Sequence, residues 1–227
     1  KPQAMTDNAR LALDTILQRP VRGIPSWLVH IMEHRWIERL ADAEPGEYAR
    51  NPERVYLAFQ RNIGTCLLDQ WIPKNPLTMG AHGYEGATRT ATTGAEQIVC
   101  DGIAITSPEA VVEHMERFVF PNIRKSIAEF DEDRRVREIL EKEREIQALL
   151  GPGILKSGYG FVRFPGLAYG KYGYENYFMA YALYPEVMER HFALQADAAA
   201  LNNRAAARAC EEGRLPPLYR LDHDMAS

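Results

Sequence analysis

The residues of this 227-residue chain best suited to chemistry lie near its carboxyl end, where Leu218-Tyr219-Arg220-Leu221 leads into Asp222-His223-Asp224. An apolar run that delivers three ionisable side chains has the form of a strand feeding the mouth of a parallel sheet, where the surrounding loops enclose a shared site. In a regular strand only one parity faces that mouth, and His223 has the parity opposite to Asp222 and Asp224. A second cluster, His30-Ile31-Met32-Glu33-His34, fits the H-x-x-E-H pattern in which two histidines hold zinc beside a glutamate. Zinc requires a third protein ligand, no strong candidate is evident, and the pattern straddles the end of an expected strand. A third candidate is Asp69, which closes the apolar run Thr65 to Ile72. It reads equally well as a site carboxylate or as a helix cap.

The elements that must position these residues alternate between helices and short apolar runs. Ala9, Leu11, Leu13, Ile16 and Leu17 recur with helical spacing over Thr6 to Gln18, ahead of Pro20. Ile24 to Ile31 reads as a buried strand followed by a helix to about Leu40. Asn51-Pro52-Glu53 opens another helix that runs to Asn62, with Asn as cap, Pro in the first position and Glu at the positive end. Thr65 to Ile72 is a second buried strand, closed by Pro73. The Gly- and Thr-rich stretch from Met79 to Ile105 has the texture of a hairpin excursion. Thr106-Ser107-Pro108-Glu109 starts a helix through Phe118. The charged stretch Asp131 to Leu150 carries a narrow apolar stripe and predicts a helix with a solvated face, ended by Gly151-Pro152. A third strand is expected within Gly153 to Gly160. A long Ala-rich helix follows from Tyr184-Pro185-Glu186 to Gly213, and Pro216-Pro217 leads into the final run.

Composition narrows the class. With 46% hydrophobic and 26% charged residues, the chain has the make-up of a soluble globular protein. A formal charge of -4 supplies no basic field, which argues against nucleic acid and against anionic membrane as partners. Cys66, Cys100 and Cys210 are odd in number and widely spaced, which points to a reducing compartment and a cytoplasmic protein.

Four of these features, in this order, resemble the uroporphyrinogen decarboxylase superfamily, which includes corrinoid-dependent methyltransferases. They are the helix before Pro25-Ser26-Trp27, the strand closing on Asp69, the loop Phe164-Pro165-Gly166-Leu167-Ala168-Tyr169 before a Pro-Glu helix, and the acidic strand end. The resemblance implies an α/β fold of the (β/α)8 TIM-barrel type, of which a chain shorter than the typical ~250 residues supplies only the N-terminal half to two-thirds. On this view residues 1–227 are a single partial barrel domain, with the hairpin-like excursion at about 79–105 and a charged helical insertion at about 131–150.

The resemblance also implies a site. Asp69, His30 and Asp224 become the expected catalytic residues, and Trp27, Tyr169, Asp222 and His223 the substrate-binding ones. The arginine pair with which family decarboxylases hold a polycarboxylate tetrapyrrole is absent between Ser26 and Arg35, leaving Arg35 alone. A multiply charged substrate needs such bidentate partners. The methyltransferase-like branch, acting with a corrinoid or a methylated small substrate, is therefore the expected function. The alternative is a non-catalytic binding protein on a degenerate half-barrel. Zinc enters only if a C-terminal portion outside this chain supplies it. Completion by such a segment, or by homo-oligomerisation, is expected because half a barrel exposes sheet edges and apolar strand faces. Tyr159 to Tyr177 is aromatic-rich, and reads either as a flat wall for a planar ligand or as a cover over a barrel end.

Overall fold

The computed structural model describes residues 4–29, 31, 33–74, 98–158 and 161–219. The chain divides into two compact units: residues 1–87, 136–161 and 206–227 form the first, and residues 88–135 and 162–205 the second. Among the described residues the strands form two two-stranded sheets, with no closed barrel, and no helix is long and apolar enough to cross a membrane.

The first unit is organised around a parallel pair, β1 (Leu67–Leu68) and β4 (Leu155–Lys156), in the register Leu67 to Leu155 and Leu68 to Lys156. The Leu155 amide donates to the Cys66 carbonyl at 2.9 Å and the Ser157 amide to the Leu68 carbonyl at 3.0 Å. Successive strand residues point to opposite faces. Leu67 and Leu155 accordingly pack with Ala9 and Ala12 of α1 (Asp7–Ile16). Leu68 packs instead with Ile146 and Leu150 of α7 (Glu132–Leu150). The Ile24 to Ile31 run joins β1 only at Ser26, whose carbonyl accepts from the Cys66 amide at 3.0 Å. It forms no ladder over its described residues, and Pro25, lacking an amide proton, cannot extend one.

Helices α2 (His34–Leu40), α3 (Glu47–Arg50) and α4 (Pro52–Asn62) pack beside this pair. Val55, Tyr56 and Phe59 share one face of α4, because residues three and four apart are neighbours on a helix. They meet Ile37, Ala41 and Tyr48. Tyr48 is fully buried; its hydroxyl donates to the Pro73 carbonyl, and burial pushes its ionisation upward.

The apolar stripe of α7 contains one charge. Glu143 is buried together with Val136, Ile139, Leu140, Ile146 and Leu150, and both its oxygens accept from Lys156 Nζ, at 2.8 and 2.9 Å. Lys156 also donates to the Ser157 carbonyl. Burial pushes the Glu143 carboxyl upward, and the Lys156 ammonium only partly offsets that effect.

In the second unit, β2 (Val99–Cys100) and β3 (Ile103–Ala104) form an antiparallel hairpin. Asp101 and Gly102 make its two-residue turn with φ of 47° and 81°, the positive values that a tight hairpin turn demands and that Asp-Gly tolerates. Residues 79–97 of the expected excursion lie outside the described residues. Helix α5 (Pro108–His114) starts with the Ser107 hydroxyl accepting from the Ala110 amide. It does not stop at Phe118 as the sequence predicts. One π-helical turn (Met115–Val119) carries it into α6 (Phe120–Ala128). Pro121 has no amide proton to return to the preceding turn, and a widened turn there absorbs the missing bond. Helices α8 (Tyr169–Tyr172), α9 (Tyr174–Leu183) and α10 (Pro185–Gly213), the last belonging to this unit up to Ala205, complete its helices among the described residues. The core of this unit gathers Val111, Met115, Phe120, Tyr172, Tyr177 and Met188.

His114 ties the hairpin to this core. Its ring is fully buried, with Nε2 2.7 Å from Asp101 Oδ2 and Nδ1 2.8 Å from the Tyr172 hydroxyl. Burial pushes the Tyr172 hydroxyl upward, so it keeps its proton; the Asp101 carboxylate can only accept, so Nε2–H donates to it.

Two outcomes follow from these buried polar groups. Tyr172→Phe leaves His114 Nδ1 unpartnered, which should lower unfolding free energy by about 1–3 kcal/mol in chemical denaturation. An unchanged midpoint would mean that the bond contributes nothing. For Glu143, the folded carboxyl value lies above the unfolded one, so the native state binds the extra proton between the two. Stability then falls as pH rises through that window and is regained as pH falls through it. Relative to Glu143→Gln, the wild-type protein should therefore gain stability as pH is lowered through the window between the raised folded value and the unfolded one, and a pH-independent difference between them contradicts the assignment.

Candidate functional site

Asp69 directly follows β1 and Gly158 lies two residues beyond β4, so both stand at the carboxyl end of the parallel pair. In α/β proteins that edge is where ligands bind, because the strand-to-helix connections diverge there and leave a crevice. Asp69 is 6% exposed. Its Oδ1 accepts from the Trp27 indole Nε1 at 2.8 Å. Trp27, Leu67, Asp69, Gly158, Leu218 and Tyr219 line a pocket of about 220 Å³.

Side-chain to backbone bonds fix the two residues relative to each other. Gln60, fully buried on α4, donates through Nε2 to the Leu28 carbonyl at 2.8 Å and accepts from the Thr65 hydroxyl at 2.5 Å. The Ser26 hydroxyl donates to the Gly64 carbonyl at 2.8 Å. The extended run on either side of Trp27 is thus held against the residues that lead into β1, and the indole reaches across to the carboxylate. Gly158 is required on the opposite wall: a Cβ there would overlap the Phe161 ring.

Tyr219 closes the pocket. Its ring meets Phe161 edge to face with centroids 6.0 Å apart, and its hydroxyl lies beside Cys210. Burial, with the cysteine beside it, pushes the Tyr219 hydroxyl up to about 12, and burial likewise raises the Cys210 thiol. Both groups therefore stay protonated at neutral pH and act as hydrogen-bonding groups, not as nucleophiles.

Of the residues singled out from the sequence, Trp27 and Asp69 come together in this pocket. Tyr169 belongs to the second unit, where its ring stacks on Tyr174 and Phe178 at centroid separations of 4.7 and 5.9 Å. His30, Asp222, His223 and Asp224 lie outside the described residues. Within the H-x-x-E-H pattern, the Glu33 carboxylate accepts from the Arg35 amide as the cap of α2, and His34 packs edge to face on Tyr48. Among the described residues, no group of three His, Cys, Asp or Glu side chains could hold a metal ion.

Sequence reasoning missed the contributions of Gly158 and Tyr219, and it missed the two buried polar clusters. Signals for the clusters exist. Lys156 interrupts the apolar run Gly153 to Gly160, and Glu143 falls on the apolar stripe of α7 between Leu140 and Ile146. A strand lysine and a helix glutamate that both occupy core positions predict each other as partners. Comparisons with protein-family models, with curated proteins and with solved structures find no match to this chain.

Proposed function

We propose that this chain is an enzyme of the uroporphyrinogen decarboxylase superfamily, of the methyltransferase-like branch, acting on a methylated small molecule. The observation that carries the reading is a buried carboxylate at the carboxyl end of a parallel strand pair, oriented by an indole N–H and facing a small apolar pocket. Asp69 is where the superfamily resemblance assigns a site aspartate, and Trp27 belongs to the Pro-Ser-Trp element of the same resemblance.

The pocket restricts the ligand. A volume of about 220 Å³ lies below the ~300–1,000 Å³ usual for drug-sized ligands, so it takes a compact group. A corrin macrocycle does not fit there, and the described residues offer no three-ligand metal set. The chemistry assigned to this chain's own residues is therefore binding and orientation. The Asp69 carboxylate accepts from a substrate N–H or O–H, or balances a developing positive charge. Trp27, Leu67 and Tyr219 form the walls around it. The free cysteines fit a reducing, cytoplasmic setting for such an enzyme.

A non-catalytic binding protein is the second reading. It draws on a different feature, a cavity of about 570 Å³ lined by Leu28, Ile31, Trp36, Leu40 and Phe59, beside an almost fully exposed Ile24. Exposed aliphatic and Trp side chains grouped in this way are what protein interfaces use.

The experiment that separates the two readings supplies a free reduced corrinoid as the methyl acceptor and screens the protein against methylated amines, thiols and phenols, following the methyl resonances by NMR. Asp69→Asn retains an acceptor oxygen for Trp27 and removes the charge. It should lower turnover, or affinity for the best ligand, by about ten-fold or more, with little change in melting temperature; hydrogen bonds to a charged group contribute about 1.5–3 kcal/mol. Ligand binding without turnover, undisturbed by Asp69→Asn, would favour the binding protein.

A further inference from the structure

A larger cavity of about 670 Å³ lies elsewhere in the first unit, between α1, α7, β4 and the turn that ends α10. Its body is aliphatic: Ala9 and Leu13 from α1, Ile154 and Leu155 around β4, and Leu215 after α10, with no aromatic ring among the lining residues. At one wall the buried Glu143–Lys156 pair cancels its own charge, and the three acceptors on the lysine occupy its three donors. Two further charges line the cavity, and both are positive. Arg144 and Arg214 are exposed, and neither forms an ion pair among the described residues.

The backbone at Arg214 adds an independent observation. The Leu215 amide bonds to the Cys210 carbonyl at 3.0 Å as α10 ends, and Arg214 takes the left-handed conformation with φ of 50°. Glycine is the residue favoured for that position, since a side chain there costs on the order of 1 kcal/mol. Glycine stands one residue earlier, at Gly213, where a Cβ would collide with Leu140. An arginine held in a strained conformation at the edge of an aliphatic cavity motivates a functional reading, because a glycine would serve the backbone better.

We propose that this cavity is a binding site for a single-chain aliphatic carboxylate, with the chain among Leu13, Leu155 and Leu215 and the carboxylate between Arg144 and Arg214. The volume lies within the range of small-molecule sites. The site is separate from the Asp69 pocket and does not depend on the function proposed for it.

Isothermal titration of the whole chain with sodium hexanoate, octanoate and decanoate, all below micelle formation, tests the proposal. Affinity should rise by about four-fold per added methylene, the equivalent of about 0.8 kcal/mol for each buried group, until the cavity is full. Decylammonium should bind at least about ten-fold more weakly than decanoate, because it brings a like charge to the two guanidinium groups. Arg214→Gly is the informative variant: it relieves the backbone, so melting temperature should hold or rise, while decanoate affinity falls by about three- to ten-fold. Ala148→Trp fills the cavity from an exposed position on α7 and should abolish binding without unfolding the protein. No saturable binding of decanoate, equal binding of decanoate and decylammonium, or unchanged affinity in Ala148→Trp would each overturn the proposal.

Discussion

Strands of two residues cannot hold a parallel pair together through their own hydrogen bonds, and the first unit depends on how that shortfall is met. Parallel pairing is slightly weaker per residue than antiparallel pairing, and β1 and β4 offer only a few ladder bonds. Side chains supply the remainder. Gln60 bonds to Leu28 and Thr65 from one side, and the Gln147 carboxamide bonds to the Gly151 and Ile154 carbonyls and the Lys156 amide from the other. Both glutamines project from helices, so register in the strand layer is set by helix positions. That dependence locates Asp69 and Gly158 side by side, because each continues from a residue whose backbone is already fixed.

The buried ion pair adds specificity to this arrangement at a cost in stability. Removing two charges from water is expensive, and their attraction repays it only when geometry and remaining hydrogen bonds are good. Here burial outweighs the lysine's influence on Glu143, which is what its raised ionisation records. An apolar pair of equal size would be expected to stabilise the unit at least as well. What the charges provide is registration: Lys156 can be buried only with Glu143 opposite it, so α7 cannot slide along β4 by a turn without stranding both. This is the same role that a lone buried polar residue has in fixing helix register.

Local signals in the sequence were legible wherever they acted through the backbone. Pro52 after Asn51, Ser107 before Pro108 and Gly213 each mark a helix end within the span expected. The apolar stripe of α7 was legible through its spacing, and Thr65 to Ile72 and Gly153 to Gly160 each contain a strand of the parallel pair. Strand length was not. Two of the three eight-residue runs yield strands of only two residues, and Ile24 to Ile31, interrupted by Pro25, forms no ladder over its described residues; apolar content alone does not report that. Within the site, Asp69 and Trp27 were singled out and stand 2.8 Å apart. Tyr219 carries no sequence signal that sets it apart from the residues around it, and the role of Gly158 is the absence of a side chain.

The way Asp69 is held bears on what it can do. A carboxylate beside an arginine is oriented by a bidentate cation that also opposes its charge. The Trp27 indole is a neutral, single-proton donor, so it orients one oxygen without contributing an opposing charge. Its rigid ring is half-exposed and forms part of the pocket wall, so one residue both orients the carboxylate and lines the pocket. Tyr219 lines the same pocket with a hydroxyl that stays protonated beside Cys210. The pocket thus combines an oriented carboxylate with aromatic surface. Between Ser26 and Arg35 the sequence carries a single arginine, Arg35, so that segment adds no bidentate cationic pair beside the carboxylate.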